Sequence, residues 1–212
     1  MLTIVAALAI AATSHARLVC TKPGVRLWNL KSNIPKPSSI TKAPLIPLKD
    51  LMAMPYPDVM PKSNLNRRDR VAAFPNPHNL TEGQMVRTRG WLRLVATEDN
   101  DCEYHMQLTL SRTSKRSFIV EVSKDDATSI HSAFVRSHAK TVRAFVRSTL
   151  FNGDEPPEDA KALDDPVYVE VVGQLFLDSA HSVNGQRGKA GMPAATLWEL
   201  HPVLAIKRAP EP

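Results

Sequence analysis

Hydrophobic and polar residues alternate along the last patterned stretch of the chain, Thr196 to Ile206. An alternation with a period of two is typical of a β-strand that buries one face. It places Trp198 on one face, and Glu199 and His201 together on the other. Because Pro202 cannot donate a backbone hydrogen bond to a sheet, we expect this strand to lie at an edge or to carry a bulge there.

The same alternation predicts four earlier strands, which are separated by segments rich in turn-forming residues. Two of these strands contain an internal glycine, Gly90 and Gly173, which indicates a bulge or strong coiling at those positions. The predicted strands run over residues 85–96, 102–111, 118–122 and 167–177.

One helical region separates the third and fourth strands. Apolar residues recur at helical spacing over residues 127–150, which predicts one long helix or two short ones. We expect Ser123 or Asp125 to cap its N-terminus, and Asn152 with Gly153 to end it.

The order of three strands, a helix and two strands is that of an OB-fold. We therefore predict a mainly β domain over residues 80–207, followed by a short tail at 208–212. The domain is expected to be an OB-like, five-stranded, partly open barrel with its helix between strands three and four. An α+β sandwich of the same elements is the alternative, because the alternation does not define the order of the strands in space.

Residues 17–79 differ from this domain in composition. They contain 10 of the 17 prolines of the chain, so a regular helix or central strand is difficult to build there. From Arg17 to Gly90 there are 13 Lys and Arg residues against 4 Asp and Glu, whereas the rest of the chain has 14 against 17. We predict a Pro-rich basic extension, with apolar clusters at 45–46 and 51–54 that are candidates for docking on the domain. Its basic cluster at 67–70 either contacts an anionic partner or is solvated.

The first sixteen residues carry no charged side chain and contain a continuous apolar run. Small residues, Ser14 and Ala16, follow at the spacing of a signal-peptide cleavage site. We expect residues 1–16 to be a signal peptide, and the protein to be exported to the periplasm or secreted, with no transmembrane domain after cleavage. A membrane anchor or a buried helix is the alternative, but the run is shorter than the roughly 20 residues that span a bilayer. In such a compartment Cys20 and Cys102 could form a disulfide or remain two separate thiols.

Three segments of the domain, at 101–107, 169–181 and 198–203, resemble those of uncharacterised bacterial exported proteins that end in a Glu-Leu-His-Pro-Val strand. The resemblance covers roughly residues 86–206 and leaves the Pro-rich extension outside. It implies a bacterial exported domain and indicates no particular activity.

Two groups of outward-facing residues are candidates for chemistry. The first is basic and aromatic, and suits stacking of a base on Trp91 with cations contacting phosphates. The alternative is that Trp91 packs beneath the extension. The predicted ligand-binding residues are Arg89, Trp91, Arg93, His105, Gln107, Arg187 and Lys189.

The second group combines imidazole and carboxylate, which suit zinc and other first-row metals. If three of these groups converged, a metal-bound water could hydrolyse a phosphoester-type bond. A structural role in hydrogen bonding is the alternative, because no known ligand spacing or nucleophile motif is present. The candidate metal ligands are His105, His181, Glu199 and His201, with Asp178 beside them.

The sequence thus favours an exported, non-catalytic OB-like binding module for an anionic polymer, either single-stranded nucleic acid or a cell-envelope glycan. No cofactor is expected beyond a possible divalent metal. A metal-dependent hydrolase of phosphoester-type bonds is one alternative. The other is a structural module that binds a protein partner through the Pro-rich extension.

Overall fold

A computed structural model describes residues 27–32, 34, 40–61, 67, 69–99, 101–125, 132–181 and 187–212. The predicted signal peptide lies outside these residues. Cys102 is disulfide-bonded. The other cysteine of the chain, Cys20, is not among the described residues. The helices are α1 (Trp28–Ser32), α2 (Leu48–Met52) and α3 (Ala133–Leu150), and the strands are β1 (Met85–Thr97), β2 (Tyr104–Thr109), β3 (Ser117–Val122), β4 (Val167–Leu177) and β5 (Ala194–Arg208).

The five strands form a closed barrel in the order β1-β2-β3-β5-β4, in which β4 pairs again with β1. All neighbours are antiparallel except β3 and β5, which run parallel. Helix α3 connects β3 to β4. The prediction of a mainly β, OB-like barrel with one helix between the third and fourth strands is therefore confirmed, and the sandwich alternative is not adopted.

β1 belongs to both halves of the barrel, since residues 85–92 pair with β4 and residues 91–97 pair with β2. Its register with β2 shifts between Leu92 and Leu94, so the bulge lies at Arg93. Of the two alternatives predicted for Gly90, a bulge or strong coiling, the bulge is not at that residue. Gly90 has a different role. A Cβ there would lie 2.6 Å from Leu48 Cδ2, so glycine is what allows α2 to pack against the strand.

The irregularity predicted around Pro202 is present. The register between β4 and β5 shifts on both sides of Gly173, which pairs with Val203. A Cβ at Gly173 would lie 2.9 Å from Leu200 Cβ and 3.1 Å from the Pro202 carbonyl oxygen. The two strands can approach this closely only because Gly173 has no side chain.

Helix α3 is shorter than predicted and starts at Ala133. Its N-terminal cap is Ser132, whose hydroxyl oxygen accepts a hydrogen bond from the Val135 N–H at 3.4 Å. Ser132, and not the predicted Ser123 or Asp125, therefore caps α3. Residues 126–131, where the predicted helical region begins, are not among the described ones. The apolar face of α3 covers the barrel beside β5 with Val135, Ala139, Val142 and Val146.

Ordered structure begins well before Leu80. The Arg87 N–H donates to the Pro44 carbonyl, and the Ile46 N–H donates to the Arg87 carbonyl, so residues 44–46 lie along β1. Helix α2 then inserts its apolar side into the barrel core. The docking expected of the apolar clusters is observed for the buried residues Ile46, Leu51 and Met54, while Leu45 is exposed.

Two arginines of the basic cluster at 67–70 form contacts within the chain. Arg67 binds the buried Glu82 carboxylate through two hydrogen bonds of 2.6 Å. Arg70 donates to the Leu30 carbonyl at 3.1 Å and to Gln174 Oε1 at 3.0 Å. Among the described helices, none is long and apolar enough to cross a membrane.

Candidate functional site

Polar side chains line the outer face of β2, β3 and β5, opposite the barrel core. The strand registers explain why they meet. His105 of β2 pairs with Glu121 of β3, and Val120 of β3 pairs with Leu200 of β5. The next residue of β5 is His201, so His105, Glu121 and His201 form a row across three strands.

This row continues into a set of charged side chains that we name the buried charge cluster. The β1–β2 and β4–β5 loops, which flank the ligand-binding face in OB-folds, supply part of it. It contains four carboxyl groups against one lysine, one arginine and one histidine. Its members are Lys31, Glu103, Glu121, Asp178, Arg187, Glu199 and His201.

His201 is the centre of the cluster and is fully buried. Its Nε2 lies 3.1 Å from Glu103 Oε1, and its Nδ1 lies 3.1 Å from Glu121 Oε2 and 3.6 Å from Glu199 Oε1. Burial by itself would lower the pKa of His201, but the charge of the neighbouring Glu103 carboxylate and the hydrogen bond to Glu121 raise this pKa well above its ordinary value. The imidazole therefore carries a positive charge at neutral pH.

Lys31 supplies a second buried cation. Its Nζ lies 3.7 Å from Glu103 Oε2 and 3.6 Å from Glu121 Oε2. Burial opposes the charge of Lys31, but the surrounding carboxylates raise its pKa above the ordinary value. Burial likewise opposes the ionisation of Glu121, yet Lys31 and the hydrogen bonds from His105 and His201 hold the pKa of this carboxyl well below its usual range.

Arg187 neutralises the other end of the cluster. Its Nη2 lies 2.5 Å from Glu199 Oε2 and 3.0 Å from Asp178 Oδ2, and its Nη1 donates to the Leu197 carbonyl at 3.3 Å. Burial would lower the pKa of Arg187, but Glu199 and Asp178 raise it. The guanidinium is thus a fixed, buried charge that orients two carboxylates.

Three buried atoms of the cluster make no hydrogen bond within the described part of the chain. They are Glu103 Oε1, Glu199 Oε1 and His201 Nε2. Glu103 Oε1 and His201 Nε2 face each other at 3.1 Å without hydrogen-bond geometry. Buried polar atoms without a hydrogen bond are uncommon in folded proteins and often mark a functional site.

A second layer of residues borders the cluster. His105 Nδ1 lies 3.0 Å from Glu121 Oε1, and its Nε2 lies 3.3 Å from Gln107 Oε1. The Lys189 N–H donates to Gln107 Oε1 at 2.7 Å, and Lys189 Nζ lies 3.2 Å from Glu98 Oε1. Glu98 and Lys189 are partly exposed, so this layer connects the buried charges to the surface.

Residues 27–32 lie over this face of the barrel. Leu27 and Leu30 pack on Phe176 of β4, and Gln174 Nε2 donates to the Leu30 carbonyl at 3.1 Å. The Lys31 ammonium lies 5.7 Å from the centre of the Phe176 ring. The face that binds ligands in many OB-folds is therefore covered here by the chain's own N-terminal segment.

The structure separates the predicted ligand-binding residues into two places. His105, Gln107, Arg187 and Lys189 belong to the buried charge cluster or its border. Arg89, Trp91 and Arg93 lie on β1. The Arg93 side chain is partly exposed.

Trp91 is only 6% exposed. Its ring lies 5.2 Å from that of Tyr168, and the Arg112 guanidinium lies 4.6 Å from its centre. This burial does not suit the predicted stacking of a base on Trp91. The buried ring is not open for a base to stack on, and it contacts Tyr168 and Arg112.

A set of exposed cations, which we name the basic β1 face, surrounds Glu170 of β4. Arg89 Nε lies 2.7 Å, Lys207 Nζ 3.2 Å and Arg87 Nη1 3.9 Å from the carboxylate oxygens of Glu170. The side chains of Arg87, Arg89 and Lys207 are 38%, 44% and 70% exposed, whereas that of Glu170 is 3% exposed. Three cations on one carboxylate leave a surplus of positive charge at the surface.

Glu170→Gln is expected to reduce stability by about 1–2 kcal/mol at pH 7, because it removes a buried acceptor of charge-assisted hydrogen bonds. Burial would raise the pKa of Glu170, but Arg89 and Lys207 lower it below its ordinary 4.5. The ionised form is thus favoured in the folded state. The stability that it contributes is complete above pH 4.5 and is lost as the pH falls through the lowered pKa.

The measurement is urea unfolding of wild type and Glu170→Gln from pH 7 to pH 3. The difference between their free energies of unfolding should shrink below pH 4.5. Glu211→Gln, at an exposed carboxylate, serves as the control, and a pH-independent difference would contradict the assignment.

Of the candidate metal ligands, the structure brings together His105, Glu199 and His201. His181 pairs with Asp178 at 3.4 Å and is half exposed at the border. Among the described residues, Glu103, Glu121 and His201 each offer one ligand atom, and these atoms all lie within 4.8 Å of one another. The hydrolase hypothesis stays a prediction.

Sequence reasoning missed Glu103, Glu121 and Lys31. The first two could have been found, since they occupy outward positions next to the inward residues Tyr104 and Val122. For Lys31 the chain offers no local signal, because it lies far from the barrel in sequence, within the Pro-rich extension.

The chain matches no protein-family model, no curated protein and no solved structure. The resemblance carried by the Glu-Leu-His-Pro-Val strand therefore stays a prediction.

Proposed function

We propose that this protein is an exported OB-like binding module that binds an anionic polymer through the basic β1 face. One observation carries the proposal: Arg87, Arg89 and Lys207 remain well exposed although they converge on the single carboxylate of Glu170. Cations held by a buried anchor keep their orientation, and they can contact successive phosphates or carboxylates of a chain.

The neighbouring surface supports this proposal. The Arg112 guanidinium lies 4.6 Å from the centre of the Trp91 ring, and its side chain is 45% exposed. An arginine that rests on an aromatic ring is a common contact for nucleic-acid bases and sugars. The face between β2, β3 and β5, which OB-folds often use, is covered by residues 27–32, and this favours β1 as the binding surface.

Export is part of the proposal and is supported by Cys102. Its disulfide bond is of the kind that persists in an oxidising compartment. Fractionation of the producing cells, with intact-mass measurement of the purified protein, tests it. A reduced, unprocessed protein in the cytoplasm would contradict it.

Binding is tested by fluorescence anisotropy with a labelled single-stranded oligonucleotide and, separately, with a labelled anionic polysaccharide. The salt concentration is varied from about 50 to about 300 mM, an interval over which the affinity is expected to change about ten-fold or more. Arg89→Ala and Lys207→Ala should each weaken binding and lower the slope of log K against log salt by about 0.7 for a single-stranded nucleic acid. Lys140→Ala removes an exposed charge from α3 and should leave the slope unchanged.

The two polymers distinguish the source of the anionic groups. Binding of only one of them, with the slope reduced by both variants, would identify the polymer class. Slopes that are the same for wild type, Arg89→Ala and Lys207→Ala would show that the basic β1 face is not the binding surface.

A further inference from the structure

We propose that Glu103, Glu121 and His201 form a divalent-cation site that Lys31 keeps closed by placing its ammonium group where the ion would bind. This inference is independent of polymer binding, since the basic β1 face shares no residue with it.

The donor set suits a first-row metal such as Zn²⁺ or Mn²⁺. Two carboxylates and one imidazole offer ligand atoms that all lie within 4.8 Å of one another. Small side-chain rotations would bring them to the roughly 3.4 Å that separates ligands placed about 2.1 Å from a tetrahedral ion. Glu121 and His201 lie on β3 and β5, and Glu103 lies in the β1–β2 loop directly before β2, so the barrel holds all three residues. Ligands on rigid strands need little rearrangement to bind.

The atoms without hydrogen bonds support a ligand at this position. Glu103 Oε1 and His201 Nε2 belong to the donor set, and Glu199 Oε1 lies 3.6 Å from His201 Nδ1. All three residues are buried. A cation that binds Glu103 and a ring nitrogen of His201 would replace one proton of the imidazolium, and this proton would pass to solvent. The cation would also give Glu103 Oε1 a partner with better geometry than its 3.1 Å ion pair with His201 Nε2. Glu199 could supply a fourth ligand, which would be the third oxygen, or accept a hydrogen bond from the imidazole.

Lys31 occupies the region where such an ion would be needed. Its ammonium lies 3.7 and 3.6 Å from one oxygen each of Glu103 and Glu121. These distances are those of ion pairs and exceed the usual 2.7–2.9 Å of charge-assisted hydrogen bonds. Lys31 thus neutralises the two carboxylates without fully satisfying them, and a divalent ion would supply more charge at shorter distance.

The way in which Lys31 is attached to the barrel explains how a metal ion could displace its ammonium group. It is carried by α1, a helix of five residues, whereas the metal donors lie on or beside strands of the barrel. The segment is attached through Leu27 and Leu30 on Phe176 and through hydrogen bonds to the Leu30 carbonyl. A long lysine side chain can also turn away while its backbone stays in place. Metal binding is therefore coupled to displacement of the Lys31 ammonium, and at saturation it would leave residues 27–32 less firmly held.

The test uses the full-length protein, stripped of metal with a chelator, and titration calorimetry with Zn²⁺ and with Mn²⁺ alone. Lys31→Met should bind at least tenfold more tightly than wild type, since the competing charge is removed. Glu121→Gln in the Lys31→Met background should abolish binding. Lys49→Met, which removes an exposed lysine from α2, should match wild type.

Thermal unfolding gives a second readout that does not depend on calorimetry. Lys31→Met leaves two buried carboxylates without their cation, so it should unfold at a lower temperature than wild type. Zn²⁺ should reverse this loss and raise the unfolding temperature of Lys31→Met more than that of wild type. Glu103→Gln provides a second ligand variant if Glu121→Gln does not fold. Equal affinities for Lys31→Met and wild type, or no binding by either, would overturn the proposal.

Discussion

Replacing Arg187 with methionine is expected to reduce the free energy of unfolding by about 3–5 kcal/mol, the cost of breaking a buried ion pair from one side. Methionine fills much of the same volume but leaves Glu199 and Asp178 without the guanidinium that lies 2.5 and 3.0 Å from them. Glu199 is fully buried, so water cannot replace the lost partner.

The measurement is urea unfolding at pH 7, followed by circular dichroism. Arg89→Met is the matched control, because it removes an arginine whose side chain is 44% exposed from an ion pair with Glu170. It should cost no more than about 1 kcal/mol. A loss below 1 kcal/mol for Arg187→Met would show that the cluster relaxes or hydrates when opened. Adding Glu199→Gln completes a double-mutant cycle and should recover part of the loss.

Trp198→Ala is expected to cost about 3–5 kcal/mol, as is usual for removing a fully buried large aromatic side chain. Trp198 has no exposed surface. Its ring stacks on Phe74 with centres 5.5 Å apart, and its Nε1–H donates to the Pro55 carbonyl at 2.9 Å. The substitution therefore leaves a cavity in the core and also removes contacts that attach the Pro-rich extension to the barrel.

Two measurements separate these effects. Urea unfolding reports the total loss, and limited proteolysis under native conditions reports whether the extension becomes accessible. Trp198→Phe keeps an aromatic ring but loses the donor to Pro55, so it should cost about 1–2 kcal/mol. Leu45→Ala, at a side chain that is 46% exposed, should change stability by less than about 0.5 kcal/mol. If Trp198→Ala cost no more than Leu45→Ala, docking of the extension would contribute little to the fold.

The alternation of polar and apolar residues predicted the five strands and their order along the chain correctly. Strand β4 has the predicted bounds, and the bulge expected from Pro202 is present. These features are predictable because a strand with one buried face must repeat with a period of two. The cap of α3 was not predicted, since several residues before the helix could serve equally well by local chemistry.

The position of the bulge in β1 is a feature that the local sequence pattern does not predict. Gly90 carries the usual signal of a bulge, yet the register shifts at Arg93. The absence of a side chain at Gly90 instead accommodates Leu48, which lies 42 positions earlier in the chain. No pattern within β1 contains information about that contact.

The candidate site was only partly predictable for the same reason. Glu199 and His201 share a face because they are two residues apart on one strand, and this follows from the alternation alone. That Glu121 and His105 lie beside them depends on the pairing of β3 with β2 and β5, and that Arg187 neutralises Glu199 depends on the path of a loop. The sequence thus determined which residues face outward on each strand. Only the tertiary structure brought Lys31 to Glu103 and Glu121, because the energy of buried charges depends on distances between segments that are remote along the chain.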